Sequence, residues 1–210
     1  MARNPASPAP PVPGAIVAAI LAGGLSRRMG GGDKTLLPLG GRPVIAHVIA
    51  RLAPQAAALA INANGDPARF AGFGLPVVAD GFPGFAGPLA GVLAAMDWAE
   101  GQGAAWVATG AGDTPFLPRD LVARLAAGVG DAPAALAATE AGTHPTCALW
   151  RVALRDELRA ALAAGTRRVS EWAARQGAVR VGFDGEEAAF FNVNAPADLA
   201  EAEARLAGGG

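Results

Sequence analysis

Cysteine, lysine and histidine are almost missing from this chain. Among its 210 residues there is one cysteine, Cys147. A disulfide framework and a CxxC zinc site are therefore ruled out. No surplus of charge is available either: 17 Lys and Arg against 18 Asp and Glu leave a net charge of −1. The isoelectric point lies near 6.1. General nucleic-acid binders and membrane-surface proteins need a basic face, so both classes are set aside. A small anionic ligand in one local pocket stays compatible with this balance. Long apolar runs are lacking too. The best of them, residues 14–25, falls short of the ~20 residues that a bilayer span takes. It follows a Pro-rich stretch at residues 5–13, and Arg27 and Arg28 come after it. That is the wrong order for a twin-Arg signal. The expectation is a cytoplasmic protein without membrane or nucleic-acid partners.

What is present is apolar mass and loop chemistry. Hydrophobic residues make up 52% of the chain and mean hydropathy is +0.31. This is enough for a full core and excludes global disorder. Gly and Pro account for 46 of the 210 residues, which predicts many tight loops between short elements. Residues 1–13 are Ala/Pro-rich without periodicity and read as a disordered tail; residues 14–207 read as one domain without internal repeats.

Within that domain, strand and helix patterns alternate. Strands are predicted at residues 15–21, 59–62, 75–79, 105–109, 134–138, 146–150, 179–183 and 190–193. Helices are predicted at 43–52, from Pro88 onward, at 118–127 with Gly128 as the stop, around Leu154, Leu158 and Leu162, at 168–175 and at 196–206. Leu89, Val92, Leu93 and Met96 follow the i, i+3, i+4, i+7 pattern, with Pro88 where a helix starts. The alternation predicts an α/β sandwich with a mostly parallel sheet. Ligands in such sheets bind beyond the carboxyl ends of the strands.

The rare residues fall at those ends. The chain has 16 arginines and one lysine, Lys34. Lys34 closes a Gly-rich loop after the first strand: Leu21, Ala22, Gly23, Gly24, Leu25, Ser26, Arg27, Arg28, Met29, Gly30, Gly31, Gly32, Asp33, Lys34. Glycine lets backbone N–H groups approach a polyphosphate. Lys34 acts there as a compact point charge, where arginine is a planar fork. The spacing is neither a Walker A loop, since Asp33 precedes the lysine, nor G-x-G-x-x-G. Outside Asn4, the asparagines form two pairs, Asn62/Asn64 and Asn192/Asn194. A spacing of two on extended chain puts both side chains on one face. Reading a base edge and ordinary turn chemistry both account for them. Asp80 and Asp113 end two further strands. A carboxylate there suits Mg²⁺, which bridges one or two carboxylates to substrate phosphates. Turn or cap duty is the other reading, level for Asp80 and second for Asp113. His47, Cys147 and the four tryptophans read as packing residues. For His144 a structural and a ligand-facing role are both open.

Together these segments resemble the molybdenum cofactor guanylyltransferase family. The L-A-G-G-x-S-x-R-M-G run into Asp33-Lys34 is similar to its nucleotide signature. Asn62-Ala63-Asn64, Asp80, Gly87-Pro88-Leu89-Ala90-Gly91, Asp113-Thr114-Pro115, His144-Pro145-Thr146 and Asn192-Val193-Asn194 match further family motifs in order. The resemblance implies a Rossmann-like three-layer sandwich of the nucleotide-diphospho-sugar transferase type. It implies transfer of GMP from MgGTP to the phosphate of molybdenum-molybdopterin. Leu21, Ala22, Gly23, Lys34, Asn62, Asp80 and Asp113 would then bind GTP, the first three largely through backbone. Asp113 would hold Mg²⁺, Lys34 and Arg28 would neutralise phosphate charge, and Asn192 and Asn194 would face the pterin. Other proteins of molybdenum-cofactor synthesis and chaperones of recipient molybdoenzymes are the implied partners. Two positions depart from the family pattern. Gly112 stands where the family often has Cys. Ala195 replaces the hydroxyl that caps the last helix, at an expected cost of about 1 kcal/mol. The competing readings are a cytidylyltransferase acting on the same cofactor, a sugar-1-phosphate nucleotidylyltransferase and a non-catalytic molybdopterin carrier. Gly23-Gly24 and Gly87–Gly91 favour guanine over cytosine, and retention of Lys34 with Asp113 argues against the carrier.

Overall fold

Runs of small and branched apolar residues too short to form helices build the centre of the molecule. A computed structural model describes residues 11–12, 15–23, 33–82 and 87–208. Most of the Ala/Pro-rich tail at 1–13 lies outside the described residues. So do Gly24, Arg27, Arg28 and the three glycines at 30–32. The described elements begin with β1 (Val17–Leu21), a small hairpin of β2 (Pro38–Leu39) and β3 (Arg42–Pro43), and α1 (Val44–Leu52). They continue with β4 (Leu59–Asn62), β5 (Val77–Val78), α2 (Pro88–Gly101), β6 (Trp106–Ala111) and α3 (Leu121–Gly128). The chain then forms β7 (Ala134–Thr139), β8 (Gly142–Arg151), α4 (Arg155–Ala163), α5 (Val169–Arg175), β9 (Val179–Gly182) and α6 (Pro196–Gly208).

Seven strands form the main sheet in the order β5-β4-β1-β6-β8-β7-β9. Only β8 runs antiparallel to its neighbours. Alternation along β1 divides the core into two. Ala18 and Ile20 face Ile45, Val48 and Leu52 of α1 and Leu121 and Leu125 of α3. Val17 and Ala19 face Leu89, Val92, Leu93 and Met96 of α2, with Leu158, Leu162 and Trp172 from α4 and α5. The result is a three-layer α/β/α sandwich. Leu89, Val92, Leu93 and Met96 are all fully buried, as their helical spacing predicts. A smaller cluster of Leu39, Val44, Val193 and Ala202 packs α6 against the β2–β3 hairpin.

Four expectations change. Residues 190–193 form no strand; a 3-10 turn covers Glu187–Phe190. Phe190 instead stacks on His144, with ring centroids 4.2 Å apart, and meets Phe183 edge-on. Aromatic burial takes the place of ladder bonds there. The strand expected at 146–150 extends over Gly142–Arg151 because it turns back on β7 as a hairpin. The strand at 75–79 shrinks to Val77–Val78 at the sheet edge. Gly128 does not stop α3; it is its last residue. A Cβ on Gly128 would lie 2.6 Å from a methyl of Val181, so the glycine is required by close packing of α3 on β9.

Candidate active site

Register puts the site on the carboxyl edge of the sheet. Leu21 pairs with Asn62 of β4 on one side and with Ala111 of β6 on the other. Asn62 in turn pairs with Val78 of β5. Residues that follow these positions therefore emerge side by side: Ala22 and Gly23, Asn64, Asp80, and Gly112 and Asp113. The strand order runs away from β1 in one direction through β4 and β5 and in the other from β6. The edge at β1 is thus a topological switch point, where open α/β sheets bind ligands.

Two clusters of side chains line this edge. The first surrounds Asp80. Asn62 Nδ2 donates to Asp80 Oδ1 at 2.9 Å and to the Val78 carbonyl at 3.1 Å. Asn64 Nδ2 donates to Asp80 Oδ2 at 2.7 Å, and Asn64 Oδ1 accepts the Asp80 backbone N–H at 2.9 Å. The spacing of two does bring both amides to one face. Gly91 fits under this cluster because a Cβ there would lie 2.4 Å from Asn62 Oδ1. That close approach explains the second glycine of the Gly87–Gly91 segment. Gly23 lies over the same pair: a Cβ there would reach 3.7 Å from Asn64 Nδ2. Ala22 N–H is committed to the Asn62 carbonyl at 2.8 Å, and the Leu21 carbonyl accepts Gly112 N–H at 3.0 Å. Gly112 therefore acts through its backbone, and nothing in that bond requires a side chain.

The second cluster surrounds Lys34. The lysine opens a 3-10 turn, Lys34–Leu36, capped by Asp33. Its Nζ donates to Asp113 Oδ2 and to Asn194 Oδ1 at 2.5 Å. Thr114 Oγ1 donates to Asn192 Oδ1 at 2.6 Å. The Val193 N–H donates to the Asp113 carbonyl at 2.8 Å, which fastens the Asn192–Asn194 segment to the end of β6. Asp198 accepts from the backbone N–H groups of Asn194 and Ala195 at 2.8 Å each. This carboxylate, three residues into the helix, supplies the reciprocal half of a capping box. The stability cost expected from Ala195 is thereby offset at least in part.

The structure thus brings Leu21, Ala22, Gly23, Lys34, Asn62, Asp80, Asp113, Asn192 and Asn194 to one edge. Arg28 lies outside the described residues. Among the described residues no group of three or more His, Cys, Asp or Glu side chains could hold a metal ion. A cage of protein ligands is not what Mg²⁺ uses: it keeps several waters and takes one or two carboxylates plus substrate phosphates. Asp113, with the Thr114 hydroxyl 3.5 Å from its Oδ1, fits that donor set.

His144 stacks on Phe190, two residues before Asn192 in the chain. Its Nε2 lies 3.0 Å from Thr139 Oγ1. Burial pulls its pKa below the ordinary value near 6.5, and Glu187 opposes the shift. A histidine held neutral in the fold and charged in the unfolded chain costs stability as pH falls below its unfolded pKa. The expected result is a Tm that declines from pH 7.5 to 5.5, with a shallower decline in His144→Gln. An unchanged pH slope in that variant would remove His144 as the cause. His47 donates from Nε2 to the Leu39 carbonyl at 2.8 Å and steadies the hairpin. Cys147 is fully buried, which pushes its thiol up to about 11 and suits a core residue.

A family model described as MobA-like NTP transferase domain matches residues 18–179. The chain belongs to that family. A Cereibacter sphaeroides protein named molybdenum cofactor guanylyltransferase is 56% identical over 190 residues, covering 89% of this chain and 95% of that protein. The solved molybdopterin-guanine dinucleotide biosynthesis protein A of Archaeoglobus fulgidus matches with a TM-score of 0.73 at 25% identity. That match covers 91% of this chain and 99% of the other. A Thermus thermophilus 2-C-methyl-D-erythritol 4-phosphate cytidylyltransferase shares the fold at 21% identity, with a TM-score of 0.65 over 90% of this chain and 98% of that one. The sandwich is that of the nucleotide-diphospho-sugar transferases, and the motif resemblance and the family match agree.

Proposed function

We propose that the protein transfers GMP from GTP to the phosphate of molybdenum-molybdopterin, forming molybdopterin guanine dinucleotide and pyrophosphate. The observation that carries this reading is the Lys34–Asp113–Asn194 cluster at the switch point, beside the Asp80 cluster. The names of the relatives, at 56% identity for the Cereibacter protein, support the same reaction. In this reading Asp80 and Asn62, with the backbone at Leu21, Ala22 and Gly23, hold the nucleoside end of GTP. Lys34 and Arg28 hold its phosphates. Asn192 and Asn194 face the pterin.

Both reactants are anions, so catalysis is alignment and charge cancellation. The acceptor phosphate oxygen attacks the α-phosphorus, its bond to pyrophosphate breaks, and pyrophosphate leaves with the electron pair. No covalent nucleophile is required. Lys34 supplies a fixed positive charge where negative charge develops. Asn194 orients the ammonium. Asp113 would hold Mg²⁺, which when bound supplies charge neutralisation on the phosphates. The reaction is assigned to the cytoplasm, in one catalytic unit spanning residues 14–207, with cofactor-synthesis proteins and molybdoenzyme chaperones as partners.

The test is a titration of the purified protein with GTP and with CTP, each with Mg²⁺. GTP is expected to bind at least ~10-fold more tightly, the discrimination available to a site that hydrogen-bonds a base edge. A preference for CTP would move the activity to the cytidylyl transfer. Pyrophosphate release on adding molybdopterin separates the enzyme from a carrier.

A further inference from the structure

We propose that Arg69 is a positioning residue that fixes the spacing between the nucleoside-holding and the phosphate-holding halves of the site. It belongs to none of the motifs that carry the family resemblance. It lies in the 3-10 turn Pro67–Phe73, which Asp66 caps by accepting the Ala68 N–H.

The Arg69 guanidinium makes bonds in three directions. Nε donates to Asp33 Oδ2 at 3.1 Å. Nη2 donates to the Asn64 carbonyl at 2.6 Å and Nη1 to the Asp66 carbonyl at 2.7 Å. The guanidinium also lies over the Phe70 ring, 4.6 Å from its centroid. On one side, therefore, it grips the backbone of Asn64, whose side chain clamps Asp80 by both its oxygen and its nitrogen. On the other side it grips Asp33. The two Asp33 oxygens divide their work: Oδ2 takes Arg69, while Oδ1 accepts the Thr35 N–H at 3.1 Å and the Thr35 hydroxyl at 2.6 Å. Those bonds shape the turn that carries Lys34. An unbroken path runs from Asp80 through Asn64, Arg69 and Asp33 to the lysine turn. A simple charge pair at this surface would contribute little. A planar fork that satisfies three acceptors at once holds geometry that a lysine cannot.

The inference rests on the GTP reading above. A nucleotide that touches both Asp80 and Lys34 gains from finding them already at the right distance. A fragment that touches only one half gains nothing from that spacing. Cutting the brace therefore penalises the whole nucleotide selectively.

The experiment measures binding of GTP, guanosine and magnesium pyrophosphate to the full chain carrying Arg69, Arg69→Ala or Arg69→Lys. Calorimetry serves for GTP and ligand-observed NMR for the fragments. In Arg69→Ala, GTP is expected to weaken ~10-fold or more, while each fragment stays within about twofold of wild type. Arg69→Lys restores the pair with Asp33 but not the bond to Asn64, and is expected to recover only part of the loss. It also serves as the test variant if Arg69→Ala fails to fold. GTP affinity within about twofold of wild type in the variant overturns the proposal, and so does equal weakening of GTP and both fragments, which marks a merely structural residue. Failure of the wild-type protein to bind GTP at all sinks the functional reading, and the brace with it.

Discussion

Lys34→Ala is expected to lower kcat by ~10²-fold or more, as loss of a transition-state charge partner does. The ammonium is the point where three separate parts of the chain meet. It sits in the turn after β1, it bonds the Asp113 carboxylate at the end of β6, and it bonds Asn194 before α6. Its side chain is only 17% exposed, so its charge acts in a medium less screening than bulk water. In the proposed GTP complex, removing it would leave Asp113 facing the triphosphate with no ammonium between two sets of negative charge. Binding of GTP should weaken as well if, as proposed, the lysine touches the phosphates in ground state and transition state alike. Lys34→Arg is expected to rescue poorly, since the longer planar guanidinium cannot occupy the position of an ammonium bonded to both Asp113 and Asn194. Single-turnover rates at saturating GTP, with Tm as a control for folding, check the result. Turnover within a few-fold of wild type would remove Lys34 from the mechanism.

The parts of this site that were legible in sequence are of two kinds: polar residues at or just beyond strand ends (Asn62, Asn64, Asp80 and Asp113), and residue types the chain uses sparingly (its one lysine and its few asparagines). Lys34, the two asparagine pairs, Asp80 and Asp113 stand out against a background of Ala, Gly and Leu. Parallel register then does the rest, since Leu21, Asn62, Val78 and Ala111 end at one level. The central strands and α2 were legible because their apolar runs are long enough to show a period. What escaped depends on partners far apart in sequence. Arg69 is one of 16 arginines, and it meets Asp33 across 36 positions. The β2–β3 hairpin has two residues per strand, too few for any alternation to appear. Phe190 carries a strand-like neighbourhood, yet its ring is drawn to His144 and Phe183. Tertiary packing overrides local propensity there. Asp198 illustrates a related limit: it accepts the Asn194 and Ala195 N–H groups, yet with Ala at 195 the sequence carries only half of the capping-box signature.

Asp113 is the second position where a single change should abolish most of the activity. Asp113→Asn keeps the shape of the side chain and removes its charge. The Val193 N–H bond to the residue 113 carbonyl involves backbone only, so the Asn192–Asn194 segment should stay attached and the fold intact. The expected loss in kcat is again ~10²-fold or more. The accompanying signature differs from that of Lys34→Ala. If Asp113 holds Mg²⁺, the Mg²⁺ concentration for half-maximal turnover rises in Asp113→Asn, whereas in Lys34→Ala it changes little. Lys34 and Asp113 are in direct contact, so their effects should not multiply. The Lys34→Ala/Asp113→Asn double variant is expected to be much less impaired than the product of the two single losses, as holds for residues acting as one unit. Full multiplicativity would mean that the two side chains serve independent steps. An unchanged Mg²⁺ dependence in Asp113→Asn would mean that the carboxylate orients Lys34 and does not hold the metal.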